Sequence, residues 1–447
     1  MTGTAWDLIA AHERRRAGDQ ALRKRDGAFY TPPPIAAWLA GKALAPLIAG
    51  AAAPADLDRL RILDPAVGAG TFLLAACDAL RGAGLAPARA ASCCYGYDRD
   101  PTAIRVAAAA LADHSGGGSP GGLVVADTLL LPPEPRFDVI VGNPPWEKIG
   151  RGDPRKPLFD ERYAEIREGE INLHGLFLVW ALRSLAPGGR LAFLTPNTWL
   201  QNRFDARLRR HVLDWRVEEI AILPAGSFAD TPVTVPAAIV MVKSPPGGRI
   251  AVSAPGFRSE VEQRDWAARP HSAMSVHDDA ELARVERCWL ETAVPLGDVA
   301  RASDGIYTST ARAHAFVPAG TPGSRLPVRE PGASDRPILL SGAELARDVL
   351  LPAGAYLAAD LAAKHARQAS ARVAFHAARH PSLARRLVGA VVPDGVHTSN
   401  RFIDVRPDGL DPYFLAAVLL TRALDGYFAR RFPVADVDAF MLHQLPV

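Results

Sequence analysis

The 447-residue sequence predicts an α/β fold: a doubly wound, mostly parallel sheet of seven strands, followed by a second, smaller α+β domain. Two observations predict it. Seven short apolar runs precede residue 250, and Ala- and Leu-rich stretches separate most of them, the alternation of a parallel sheet covered on both faces. Past Ser244-Pro245-Pro246-Gly247-Gly248 that rhythm weakens, and short strand-like pieces alternate with Pro and Gly turns.

The strands are expected at Leu60 to Asp64, Ser92 to Asp98, Leu123 to Asp127, Phe137 to Gly142, Arg190 to Thr195, Glu218 to Leu223 and Ala237 to Lys243. Helices are expected at Thr71 to Arg81, Pro101 to Asp113 and Leu173 to Leu185. Residues 1–245 then form the first domain, opened by a helical segment over 1–26; residues 246–290 connect it to the second, 291–447, which a helix from Pro412 to Phe428 helps to close.

Composition narrows the class. With 49% hydrophobic and 22% charged residues the chain is neither a disordered polymer nor a fibre. No apolar run reaches the roughly 18 to 20 residues of a membrane helix, and Met1 to Gln20 carries charges where a signal peptide has its apolar core, so a cytoplasmic location without membrane is expected. Cys77, Cys93, Cys94 and Cys288 lack paired metal spacing, and they are read as thiols rather than disulfides or metal ligands. A formal net charge of +3 decides nothing about nucleic acid, because a basic channel can be offset elsewhere on the surface.

Two motifs carry chemistry. In Ile62-Leu63-Asp64-Pro65-Ala66-Val67-Gly68-Ala69-Gly70-Thr71-Phe72 a strand enters a glycine turn and then a helix, and small residues there admit a ligand to the backbone. The turn is not the G-x-G-x-x-G of nicotinamide enzymes. Instead Asp64, Asp98 and Asp127 end three successive strands, around the crevice where open α/β sheets bind ligands. Asp98 is placed to accept ribose hydroxyls. One such acid alone would be read as a helix cap or turn residue; three together favour a ligand bearing a nucleoside.

The fourth strand delivers Asn143-Pro144-Pro145-Trp146. Two prolines fix φ and remove two N–H donors, which leaves a rigid cluster of acceptors. The Asn143 side-chain oxygen and the Pro144 carbonyl can accept both hydrogens of an amino group and draw its lone pair toward a methyl donor, so no general base is obligatory. Trp146 offers a flat face for a purine, a contact worth roughly 1 to 3 kcal/mol per base. The bland reading, a Pro turn with a core Trp, is weakened by the context.

In motif content and order the chain resembles the gamma class of amino-methyltransferases, the adenine-N6 DNA methyltransferases of restriction-modification and phage-defence systems. The resemblance spans about residues 25 to 245. It implies S-adenosylmethionine as cofactor, with Tyr30, Thr31 and Pro32 in the segment capping its methionine end. Asp64, Pro65, Ala66, Gly68, Gly70 and Phe72 form the cofactor turn, Asp98 holds the ribose, and Asp127 lies beside the adenine, with Asn143 also at the cofactor. Asn143, Pro144, Pro145 and Trp146 become the catalytic tetrapeptide, and Trp146 and Phe228 the walls around a flipped base. The chain departs from the family in carrying Trp where Tyr or Phe is commoner, which keeps stacking and enlarges the pocket wall. It begins almost at the capping segment and shows no nuclease constellation later, so no fused endonuclease is expected; a separate restriction or defence subunit would fit.

An adenine amino group inside a duplex cannot reach a sheet crevice, so such an enzyme must extrude its base from double-stranded DNA. Lys364, Arg367, Arg372, Arg379, Arg385 and Arg386 form a run without an acid that can track phosphates, or else a solvated helical face. The second domain resembles a target-recognition domain. Two alternatives stand beside this reading: the same chemistry on a nitrogen of RNA, protein glutamine or a small molecule, and a noncatalytic DNA-binding subunit that retains the fold.

Overall fold

A computed structural model describes the chain except residues 1–3, 18–30, 135, 151, 168–171, 225, 228–234, 277–287, 289–291, 320–325, 342, 347–348, 352, 378–383 and 433–436. It divides into two compact units, Met1–His277 and Asp278–Val447. No helix among the described residues is long and apolar enough to cross a membrane.

The first unit is built on one sheet: β1 (Ile62–Asp64), β2 (Cys94–Asp98), β3 (Gly122–Val125), β4 (Phe137–Gly142), β5 (Leu185–Pro196), β6 (Arg216–Ile222), β7 (Pro236–Val242), β8 (Arg249–Ala254) and β9 (Phe257–Glu262). Their order across the sheet is β3-β2-β1-β4-β5-β7-β6-β8-β9. Strands β3 to β5 run parallel, and β7 enters antiparallel between β5 and β6. The seven expected strands are all present. Val139, Ile140 and Val141 of central β4 are fully buried on both faces, whereas Val124 and Val125 of edge strand β3 are exposed. The sequence reading ends the sheet near residue 245; the structure adds β8 and β9, a hairpin whose first strand pairs parallel to β6. Residues 249–262 therefore belong to the sheet and not to a connector, because the alternating side chains of β8 bury Ile250 and Val252 against the core.

Helices cover both faces. Pro33–Gly50, Thr71–Gly82 and Pro101–His114 share one apolar cluster with Val139 and Val141, while Leu173–Ser184 and Ala206–Leu213 share another with Ile140 and Leu191. The helix after β2 starts where its sequence dictates: Asp100 caps it by accepting the Thr102 N–H at 2.7 Å, and Pro101 holds the first position.

Among the described residues the second unit carries two four-stranded sheets and a two-stranded ribbon. One sheet runs β10 (Ala300–Asp304), β19 (Phe402–Pro407), β16 (Arg372–His376) and β17 (Gly389–Val392). The expected single helix from Pro412 is two, Pro412–Leu419 and Arg422–Arg431, because the Thr421 hydroxyl accepts the Leu424 N–H at 3.3 Å and starts a new helix there.

Candidate functional site

The chain leaves β1 toward β2 and β3, then returns to the other side of β1 as β4, so the strand order reverses between β1 and β4. The carboxyl ends at such a switch point form the crevice in which open α/β sheets take their ligands. Here they bear the glycine turn and the Asn143 tetrapeptide. Gly68 (φ 52°) and Gly70 (φ 98°) hold left-handed backbone that other residues avoid. A Cβ at Gly68 would meet nothing within 4 Å, whereas one at Gly70 would press on Ala107 at 3.2 Å. Gly70 thus lets the turn pack on the next helix, and Gly68 fronts open space.

Asp64 lies beneath this turn, 1% exposed. Its Oδ1 accepts the Ala66 N–H at 3.0 Å. A Cβ at Gly142, the last residue of β4, would stand 2.6 Å from the same oxygen, so a glycine is required there. Burial pushes the Asp64 carboxyl up to about 8; the Ala66 N–H opposes the shift and Asp98 adds to it. Asp98 ties the turn to β2, accepting the Gly68 N–H at 2.9 Å and the Asp100 N–H at 2.8 Å. The Thr128 hydroxyl donates to the Pro65 carbonyl at 2.5 Å, which joins the end of β1 to the segment after β3.

Asp127 caps a short turn by accepting the Leu129 N–H at 3.2 Å and takes the Arg155 guanidinium at 2.9 Å. At the end of β4 the Asn143 side-chain N–H donates to the Thr31 hydroxyl at 3.1 Å. Thr31 is 5% exposed and precedes the helix Pro33–Gly50, with Pro32 at its N-cap. The bond fixes the amide, so its carbonyl oxygen is turned away from Thr31. Pro144 is buried, Pro145 and Trp146 are half-buried, and Trp146 packs against the cluster under the glycine turn. The next residue is pinned as well: the Glu147 carbonyl accepts the Leu173 N–H at 2.8 Å. The predicted acids, glycines, Thr31 and the tetrapeptide are therefore gathered at the ends of β1 to β4, on a scaffold of rigid elements.

Residues 17–248 match the family N-6 DNA Methylase. The chain belongs to that family. Among curated relatives it is 31% identical over 182 residues to the type II methyltransferase M.TthHB8I of Thermus thermophilus, covering 39% of this chain and 35% of the relative. It is 25% identical over 258 residues to the type II methyltransferase M.VspI of a Vibrio species, covering 57% of each. The chain thus spans about a third to somewhat over half of the length of these relatives. Among solved structures, a nuclease-deletion mutant of the type ISP restriction-modification enzyme LlaGI, in complex with a DNA substrate mimic, superposes with a TM-score of 0.61 at 12% identity, over 92% of this chain and 45% of that one. At that identity the likeness shows the fold.

Not every expected residue joins the site. Phe72 is 3% exposed and packed in the core, so it supports the glycine turn from beneath. Tyr30, Phe228 and Arg379 lie outside the described residues. The basic run of the second unit does not form one surface. Arg372 is fully buried, its Nε 2.8 Å from Asp404. Arg386 is 1% exposed, donates to the Phe432 carbonyl at 3.3 Å and stacks over Phe428. Both are built into the interior and are not presented to a phosphate. Half-buried Arg385 donates to the Leu420 carbonyl; Lys364 and Arg367 are exposed. Sequence reasoning missed Arg155 and Gly142. The Asp153-Pro154-Arg155 turn signals a helix start, but nothing in the sequence pairs Arg155 with an acid 28 residues upstream.

Proposed function

We propose that this chain transfers a methyl group from S-adenosylmethionine to N6 of an adenine rotated out of double-stranded DNA. The observation that carries the reading is the Asn143 amide, fixed by Thr31 at the end of β4 beside the glycine turn of β1. The residues present fit the cofactor: half-buried Gly68 leaves open space where a side chain would stand, Asp98 stands at the end of β2 for the ribose hydroxyls, and Asp127 at the end of the β3 segment for the adenine. Bound there, S-adenosylmethionine supplies an electrophilic methyl group.

The chain's own residues do the rest. The Asn143 side-chain oxygen and the Pro144 carbonyl accept the two amino hydrogens of the base, which localises the nitrogen lone pair toward the methyl group. Holding both acceptors on proline-stiffened backbone at a strand end limits reorganisation during transfer. Trp146 stacks on the extruded base and repays part of the cost of unstacking it, and Phe228, outside the described residues, is the second wall expected from the sequence. After transfer the amino nitrogen carries a positive charge and loses one of its hydrogens as a proton to solvent. The second unit supplies target recognition, with exposed Lys364 and Arg367 its candidates for phosphate contact.

The test is transfer of labelled methyl from S-adenosylmethionine to unmethylated genomic DNA by the purified chain, followed by nucleoside analysis. N6-methyldeoxyadenosine is the expected product. Label on cytosine, on RNA or on protein alone would overturn the assignment.

A further inference from the structure

The chain that leaves the tetrapeptide does not end its work at Trp146. Ile149 returns to the core, and the chain then reaches Asp153 and Arg155 before the helix Lys156–Arg162. Arg155 grips two acids at once: Nη1 donates to Asp127 Oδ2 at 2.9 Å, Nη2 to Asp153 Oδ2 at 2.8 Å, and Nε to Asp153 Oδ1 at 3.1 Å. Asp153 Oδ1 also accepts the Arg155 backbone N–H at 2.8 Å, and the guanidinium lies 5.4 Å from the centre of the Phe159 ring. These side chains are 25% (Arg155), 16% (Asp127) and 18% (Asp153) exposed, well short of an open surface pair. The Arg155 hydrogen bond holds the Asp153 carboxyl below its ordinary range, and Arg99, the residue after Asp98, adds a weaker attraction.

The placement matters more than the pairing. β4 and β3 are separated by β2 and β1, so at about 4.8 Å per strand their ends stand roughly 14 Å apart. A segment that starts at the end of β4 is nevertheless fastened to Asp127 after β3. It spans the strand ends that carry Gly68 and Asp98. Asp127 is oriented by two donors, the Leu129 N–H and Arg155, and a carboxylate so bound retains lone pairs for a purine amino group.

We propose that Arg155 is a positioning residue, which latches the chain following the catalytic tetrapeptide across the nucleoside end of the cofactor site by holding Asp127. It sets the orientation in which Asp127 meets the cofactor's adenine and slows cofactor release. The proposal rests on the reading of Asp98 and Asp127 as the nucleoside's partners.

The test is stopped-flow binding of sinefungin, an unreactive cofactor analogue, to the full chain. Arg155→Met is expected to raise the dissociation rate roughly 10-fold to 100-fold, as loss of a charge-assisted hydrogen bond would, with the association rate changed less than about twofold. Arg155→Lys, which keeps the charge and loses the fork, should recover part of the effect. In a double-mutant cycle, Asp127→Asn with Arg155→Met should release the analogue no faster than Asp127→Asn alone. Melting without ligand should be the same for wild type and Arg155→Lys, which separates latching from folding. Wild-type release rates in both Arg155 variants, from a chain that binds sinefungin, overturn the latch alone. Failure of the wild-type chain to bind sinefungin overturns the cofactor reading and the latch together.

Discussion

Asp64 in the first unit and Asp404 in the second are both buried aspartates, and their surroundings differ in kind. Asp404 receives Arg372 and Arg406, each at 2.8 Å, and the Thr398 hydroxyl at 2.8 Å. Its charge is answered inside the unit, and the three strands that contribute these groups, β19, its neighbour β16 and the short strand His397–Thr398, are tied by it. Among the described residues no cation pairs with Asp64; its carboxylate accepts a backbone N–H, and burial drives its carboxyl toward the neutral form. The Asp404 charges cancel within the unit and hold it together, whereas Asp64 and Asp98 lean on backbone donors at the strand ends that form the crevice. The same contrast explains why the basic run failed as one surface: Arg372 answers an interior acid, and Arg385 and Arg386 answer carbonyls.

The largest expected effect is on the self-contained cluster. Asp404→Ala leaves the fully buried Arg372 and the mostly buried Arg406 without their acid and should cost about 3 to 5 kcal/mol, seen as lost hydrogen-exchange protection in β16 and β19. A loss under about 1 kcal/mol would mean that solvent already reaches the cluster, and the contrast would fail. Asp64 should act through pH. A carboxyl whose folded pKa is raised favours folding at low pH and loses that contribution as pH climbs from about 4, its ordinary value, through about 8. The first unit should therefore lose about 1.4 kcal/mol per pH unit across that window from this group, and Asp64→Asn should remove the slope. Tryptophan fluorescence reads this, since Trp289 alone lies in the second unit. Trp146→Ala should weaken DNA binding by about 1 to 3 kcal/mol while sparing sinefungin; equal loss of both would make Trp146 a packing residue. Thr31→Val, which removes the acceptor of the Asn143 amide at unchanged volume, should lower the transfer rate only a few-fold, about 0.5 to 1.5 kcal/mol, and an unchanged rate would show that Thr31 does not orient the amide.

The strands were legible because a buried parallel strand is an apolar run between turns, and β4 was found at its observed bounds, Phe137–Gly142. The strand-end acids and the tetrapeptide were legible for the same reason, since chemistry placed at a strand end sits beside a strong local signal. The β8–β9 hairpin was not. Its residues alternate around the tight turn of Pro255 and Gly256, but its parallel partner β6 lies some thirty residues away, past a Pro-Gly stretch that reads as a boundary. Burial of Arg372 was equally hidden, because the acid that answers it is far downstream on a strand of ordinary composition. Local patterns reveal elements and strand-end residues; pairings between distant charges belong to the tertiary structure.

The most direct test of the site is made on one preparation of Asn143→Ala, with sinefungin binding measured by calorimetry and methyl transfer to DNA measured alongside it. The arrangement at β1 and β4 predicts analogue affinity within about twofold of wild type and transfer reduced by roughly 100-fold to 1,000-fold. Transfer at the wild-type rate would place the acceptor chemistry elsewhere in the molecule and contradict the account.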